Sequence, residues 1–151
     1  MSAVVIYFSK FGNTKSVAEA VAAGLAVDGS ARAVSIDELV AEDLAGADIV
    51  VAGSPTHKMN LPDDVRAALD KLPRHALKGA KIAAFDTSYH MSPFLARFTA
   101  SKKLDKSLRK LGGKRAVPPE TFFVAGKEGP LDDGELERAS AWAQTIAGQV
   151  N

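Results

Sequence analysis

Short apolar, β-rich runs recur along this chain with helix-length stretches between them, and that alternation limits its fold more than any other feature. Val4-Val5-Ile6-Tyr7-Phe8, Ala47 to Gly53 around Ile49-Val50-Val51-Ala52, and Lys81 to Phe85 are continuous runs, the pattern of strands covered on both faces. Ala31 to Ile36 alternates and reads as an edge strand, followed by Asp37 to Leu44 as a loop or short helix. Thr121 to Val124 reads as a final strand after a break at Val117-Pro118-Pro119. Between these runs, Thr14 to Leu25 places Val17, Val21, Ala22 and Leu25 at helical spacing, with Gly29 available to stop it. A second helix follows Pro62, with Asp63 and Asp64 at its N-terminus and Pro73 marking its end. A third is predicted from Pro93 to Leu111, closed by Gly112 and Gly113, and a last one from Gly134 to Val150, anchored by Trp142 and Ile146. Five strands alternating with helices predict a three-layer, doubly wound α/β fold, a parallel sheet covered by helices on both faces. Ligands in such sheets bind beyond the carboxyl ends of the strands, so the residues after strands one, three and four are the ones to inspect.

Length and charge narrow the function classes. The 151 residues suit one domain spanning 1–151. Lys and Arg (19) nearly balance Asp and Glu (18), so no global field favours nucleic acid or an anionic membrane as partner. The absence of cysteine removes thiolate nucleophiles, disulfides and iron–sulfur clusters, and any redox chemistry must come from a bound cofactor. No basic segment precedes a long apolar run near Met1, and no run approaches membrane-spanning length, so the protein is expected in the cytoplasm.

The turn after the first strand reads Ser9-Lys10-Phe11-Gly12-Asn13-Thr14-Lys15 and opens directly into a helix. A loop of this kind can wrap backbone N–H groups around an anion, and the positive end of the helix dipole points the same way. Ser9, Asn13 and Thr14 offer further donors, and Lys15 is an optional counter-charge. The same residue types also cap helices with no ligand at all, and from this loop alone the two readings stay level. Neither G-x-x-x-x-G-K-[ST] nor a G-x-G-x-x-G after the strand is present, which disfavours ATP and NAD as main ligands.

SKFGNTK resembles the phosphate loop of the flavodoxin family, whose usual form is S/T-x-T/Y/F-G-N/T-T. Gly53-Ser54-Pro55-Thr56-His57 resembles the family's second flavin-contacting loop, and Asp86-Thr87-Ser88-Tyr89 lies where the third would be. Three such loops, after strands one, three and four, extend the resemblance over nearly the whole chain. It implies a flavodoxin-like sheet in the order 2-1-3-4-5, without the long insertion that splits the last strand in some members, and FMN as cofactor. By that resemblance Ser9, Lys10, Phe11, Gly12, Asn13 and Thr14 would surround the phosphate. Ser54, Pro55, Thr56 and His57 would border the flavin ring and ribityl chain on one side, and Thr87, Ser88, Tyr89 and His90 on the other. Tyr89 is the candidate for stacking on the ring, and alanine at Thr14 and Asn13 should weaken flavin binding.

The function implied is electron transfer or small flavin-dependent oxidoreductase chemistry, with redox donor and acceptor unidentified. The other reading is a binding or regulatory module of the same fold without a working flavin. A phospho-receiver domain would need an acidic cluster beside strand one and an aspartate ending strand three, where this chain has Ser9 and Gly53-Ser54. A low-molecular-weight tyrosine phosphatase would need a loop cysteine, and there is none. Free electron shuttles of the family are usually strongly acidic, whereas this chain has formal net charge +1. Its one tryptophan, Trp142, lies in the last helix and not in a loop, so the ring is expected to be less covered, with space for a substrate or second cofactor. The basic stretch Lys102 to Lys110 with Lys114-Arg115 reads as a solvated face, or as a docking surface for an acidic partner or for a nicotinamide phosphate.

Overall fold

The computed structural model describes residues 1–56, 61–90, 92, 96 and 99–150. Its elements run β1 (Ser2–Tyr7), α1 (Asn13–Leu25), a 3-10 turn (Ala26–Asp28), β2 (Ser30–Ser35), a second 3-10 turn (Ala41–Leu44), β3 (Ile49–Pro55) and α2 (Asp63–Asp70). They continue with β4 (Lys81–Ser88), α3 (Ala100–Lys110), β5 (Lys114–Arg115), β6 (Glu120–Phe123) and α4 (Glu135–Gly148). All the strand pairs are parallel, in the order β2-β1-β3-β4-β5 with β6 also on β4, which is the predicted 2-1-3-4-5 order.

Alternating side chains of the central strands feed two cores. Ala3 and Val5 of β1, Ile49 and Val51 of β3, and Ala83 and Phe85 of β4 pack with Val17, Val21 and Leu25 of α1 and Trp142 and Ile146 of α4. Val4, Ile6, Val50, Ala52, Ile82 and Ala84 point the other way and pack with Val65 and Leu69 of α2 and Leu104 and Leu108 of α3. Two-faced burial is why these runs are apolar without interruption. In the first core Phe85, Phe122 and Trp142 meet edge to face, with ring centroids 5.8, 6.0 and 5.7 Å apart.

Three boundaries differ from expectation. The fifth sheet position holds two short strands: Lys114 and Arg115 pair with Lys81 and Ile82, and Glu120 to Phe123 pair with Phe85 to Ser88. Pro118 and Pro119 have no N–H for the ladder, so they interrupt it, and the charged pair before them gave no apolar signal of a strand. Strand β4 runs on to Ser88, so Asp86, Thr87 and Ser88 are strand residues and not a loop. Helix α3 starts at Ala100, because Thr99 before it is extended (φ −70°, ψ 160°). Residues 93–95, 97 and 98 of the predicted helix lie outside the described residues.

Much of the basic stretch is engaged within the fold. Buried Asp105 accepts hydrogen bonds from Arg109 Nε (3.0 Å) and Arg115 Nε (2.9 Å), and Lys102 Nζ donates to the Ala96 carbonyl (3.1 Å). Lys102, Lys106, Arg109, Lys110, Lys114 and Arg115 all remain exposed. Neutralising the buried carboxylate accounts for two of the arginines without a partner protein.

The outer edge of β6 is satisfied by α4. The Phe123 N–H donates to Glu135 Oε2 (2.7 Å), and Arg138 Nη2 donates to both the Thr121 carbonyl (2.5 Å) and Glu135 Oε2 (2.7 Å). The Arg138 guanidinium also lies 4.5 Å from the centroid of the Phe122 ring. The hydrogen bond from Arg138 holds the Glu135 carboxyl below its ordinary value of 4.5, against the opposing effect of burial and with help from the Phe123 N–H. A depressed carboxylate pKa adds stability that is present above the unfolded value and is lost as pH falls through the lower folded value. Glu135→Gln is therefore expected to lower the unfolding free energy by about 1–2 kcal/mol at neutral pH. Urea titrations across pH should show that gap closing below about pH 4.5. An equal gap at both ends of the range would refute the charge-based account.

Candidate functional site

The carboxyl ends of β1, β3 and β4 meet at a cleft of about 250 Å³. Its walls are Lys10, Phe11, Asn13, Thr14, Pro55, Thr56, Thr87, Ser88, Tyr89, Val124 and Lys127. The cleft lies where β1 has β2 on one side and β3 on the other, the reversal in strand order at which open α/β sheets bind ligands.

The loop after β1 is shaped by one hydroxyl. Ser9 Oγ accepts the N–H groups of Gly12 (3.1 Å) and Lys15 (3.2 Å), which curls the chain back before α1 begins. Gly12, the N-cap, sits in the left-handed region (φ 94°), where a side chain is strained although space is free around it. Its carbonyl accepts the Ser16 N–H (3.0 Å) as the first bond of the helix. Among the described residues the N–H groups of Lys10, Phe11, Asn13 and Thr14 have no protein acceptor. Four free donors at the positive end of a 13-residue helix suit an anion.

The hydroxyls add to this set. Thr14 is only 2% exposed, and its Oγ1 lies 2.8 Å from Thr87 Oγ1. One proton serves that pair, which leaves a second O–H to direct elsewhere. Asn13 is partly committed: its Nδ2 donates to the Glu128 carbonyl (3.2 Å), so it ties α1 to the loop after β6. The aromatic side chains at the rim, Phe11 and Tyr89, are 42% and 45% exposed. Lys10 Nζ lies 5.7 Å from the Phe11 ring centroid.

Beneath the cleft, Thr56 joins three elements. Its N–H donates to the Thr87 carbonyl (3.1 Å), and its Oγ1 accepts the Ala100 N–H (3.1 Å) at the start of α3. Asp86 is fully buried; its Oδ2 accepts the Ser101 N–H (2.8 Å), and its Oδ1 has no partner among the described residues. The N-terminus of α3 thus faces a buried carboxylate, the favourable sign for a helix dipole.

Of the residues singled out in the sequence, nine line this cleft: Lys10, Phe11, Asn13, Thr14, Pro55, Thr56, Thr87, Ser88 and Tyr89. Ser9 and Gly12 shape the loop from behind, and Ser54 is buried with its hydroxyl on the Pro55 carbonyl (2.9 Å). His57 lies outside the described residues. His90 is placed away from the lining: its ring stacks on Phe123 (centroids 4.0 Å, 10°) and its Nε2 is 2.6 Å from Asp132 Oδ2. Sequence reasoning missed Val124 and Lys127. The rule that ligands sit beyond strand ends, applied to the last strand as well, would have included them.

A doubly wound sheet with free N–H groups in the loop after β1 and exposed aromatics at the rim of the same cleft suits a phosphate-bearing, planar ligand. The family model described as flavodoxin matches residues 5–142, and the chain belongs to the flavodoxin family, whose cofactor is FMN. An archaeal flavodoxin superposes with a TM-score of 0.79 at 21% identity, over 99% of both chains. Oxidised flavodoxin 2 from Bacillus cereus gives 0.79 at 23% identity, over 98% of this chain and 99% of that one. Rubredoxin oxygen:oxidoreductase from Desulfovibrio gigas gives 0.78 at 19% identity, over 99% of this chain but 36% of its own, so this fold also occurs as one part of a longer oxidoreductase. No match was found among curated proteins. No helix among the described residues is long and apolar enough to cross a membrane.

Proposed function

We propose that the cleft holds FMN with its phosphate against residues 9–14 and its ring toward Pro55, Thr56, Ser88 and Tyr89, and that the protein is an electron carrier for a partner oxidoreductase. Four N–H groups without acceptors among the described residues, on residues that line one cleft together with the Thr14–Thr87 hydroxyl pair, carry this reading. The donor set fits a phosphate monoester, and the exposed rings of Phe11 and Tyr89 fit a flat aromatic group. When bound, FMN supplies one- and two-electron chemistry.

The chain's own residues supply binding and tuning. Ser9 keeps the loop closed so that its N–H groups stay aimed at the anion, at no cost in reorganisation when the ligand arrives. The backbone around Thr56 and Thr87 is held by α3 and by strand pairing, so the groups bordering the ring are rigid. Exposure of Phe11 and Tyr89 leaves that end of the site reachable by a partner. A net charge of +1 in place of a strongly acidic surface suits a partner other than the basic proteins that acidic shuttles dock with.

The first test is the visible spectrum of the purified protein, before and after incubation with excess FMN and removal of the unbound fraction. Retained flavin bands are the expected result. A colourless protein that also rejects added FMN would leave the fold intact and move the function to a module without a flavin.

A further inference from the structure

The cleft is lined by two cations, Lys10 and Lys127, and by no carboxylate among the described residues. The two lysines are differently placed. Lys10 lies in the first loop and has its ammonium near the Phe11 ring. Lys127 comes from the far side of the sheet, on the loop between β6 and α4.

That loop is built against the start of α1. An antiparallel bridge between Val124 and Leu131 closes its base, and the Ala125 N–H donates to the Pro130 carbonyl (2.9 Å). The Gly129 N–H donates to the Gly126 carbonyl (2.9 Å), which turns the tip. Gly129 has φ 102°, and a Cβ there would lie 2.6 Å from Asn13 Oδ1, so only glycine allows this approach. Asn13 Nδ2 then holds the Glu128 carbonyl. Lys127 sits between these fastened residues and shares the cleft with Asn13 and Thr14.

We infer that Lys127 is a specificity-determining residue for the phosphate of the cofactor, a counter-charge that makes the site favour FMN over riboflavin. This rests on the flavin reading above. A phosphate monoester carries about −1.5 to −2 charge near neutrality, and the roughly +0.5 charge at the start of α1 offsets only part of it. An ammonium on a loop already fixed to the first residue of α1 supplies further positive charge without the cost of ordering the loop, although the exposed Lys127 side chain itself must still be placed. Glu128, next in sequence, spends its carbonyl on Asn13 and keeps an exposed side chain.

The test is a set of equilibrium titrations of the wild type, Lys127→Gln, Lys127→Glu and Lys127→Arg with FMN and, separately, riboflavin, at low and high salt. FMN affinity is expected to fall roughly fivefold in Lys127→Gln and about twentyfold in Lys127→Glu, and to stay within about twofold in Lys127→Arg. Riboflavin affinity should stay within about twofold in every variant, and salt should narrow the gap between wild type and Lys127→Gln for FMN. Equal losses for both ligands, or no loss for either, would overturn the assignment while leaving the flavin reading standing. A wild type that binds no FMN would overturn both.

Discussion

Gly53→Ala is expected to lower the unfolding free energy by about 3 kcal/mol and the melting temperature by about 10 °C. Gly53 lies beside Phe85 in the β3–β4 register, and the Phe85 ring covers it so closely that an added Cβ would fall 2.0 Å from Cζ. The ring has nowhere to go. It is fully buried, and Phe122 and Trp142 meet it edge to face. One methyl group must therefore displace either strand β3 or the aromatic cluster between the sheet and α4. Since β3 ends at the cleft, the displacement would reach Pro55 as well. Combining Gly53→Ala with Phe85→Leu should recover part of the loss, because the smaller side chain frees the space the methyl needs. Thermal melts of the two variants check this, and an unchanged midpoint in the single variant would refute it.

Thr14→Ala is expected to weaken FMN binding by roughly 30-fold, or about 2 kcal/mol, the range for a hydrogen bond to a charged group. Its hydroxyl is buried and paired with that of Thr87, so the pair is already oriented before any ligand arrives. Thr14→Ser keeps the hydroxyl and should bind nearly as well as wild type. Asn13→Ala acts by a different route, since the Asn13 amide already donates to Glu128. Its loss should loosen the loop that carries Lys127, with a smaller effect on affinity than Thr14→Ala. Fluorescence titration with FMN ranks the three variants, and equal affinity in Thr14→Ala and wild type would sink the hydroxyl's role.

The parallel sheet was legible because burial on both faces forces uninterrupted apolar runs, as in Val4 to Tyr7 and Ile49 to Ala52. The loop of residues 9–15 was legible because its residue types have local consequences: a serine to accept the returning N–H groups, a glycine for a left-handed N-cap, and a helix pattern directly after it. Features decided by distant contacts were not. The split fifth position depends on Lys114 and Arg115 meeting Lys81 and Ile82, and two charged residues carry no strand signal of their own. His90 follows Tyr89 in sequence, yet Phe123 and Asp132 draw it away from the cleft. Asp86 read as a polar loop residue, whereas it is a strand residue buried under the start of α3. Lys127 lies on a loop closed by the Val124–Leu131 bridge and tied to α1 through Asn13 and Glu128, contacts between residues apart in sequence.

The most direct test of the phosphate site is the amide proton–nitrogen NMR spectrum of assigned protein titrated with FMN and, in parallel, with riboflavin. The N–H groups of Lys10, Phe11, Asn13 and Thr14 have no acceptor among the described residues and belong to residues that line the cleft. Their resonances should show the largest shifts with FMN and much smaller ones with riboflavin, while Thr56 and Tyr89 respond to both. Resonances of residues 10–14 that stay in place with bound FMN, or that move equally with the unphosphorylated flavin, would contradict a phosphate held at the start of α1.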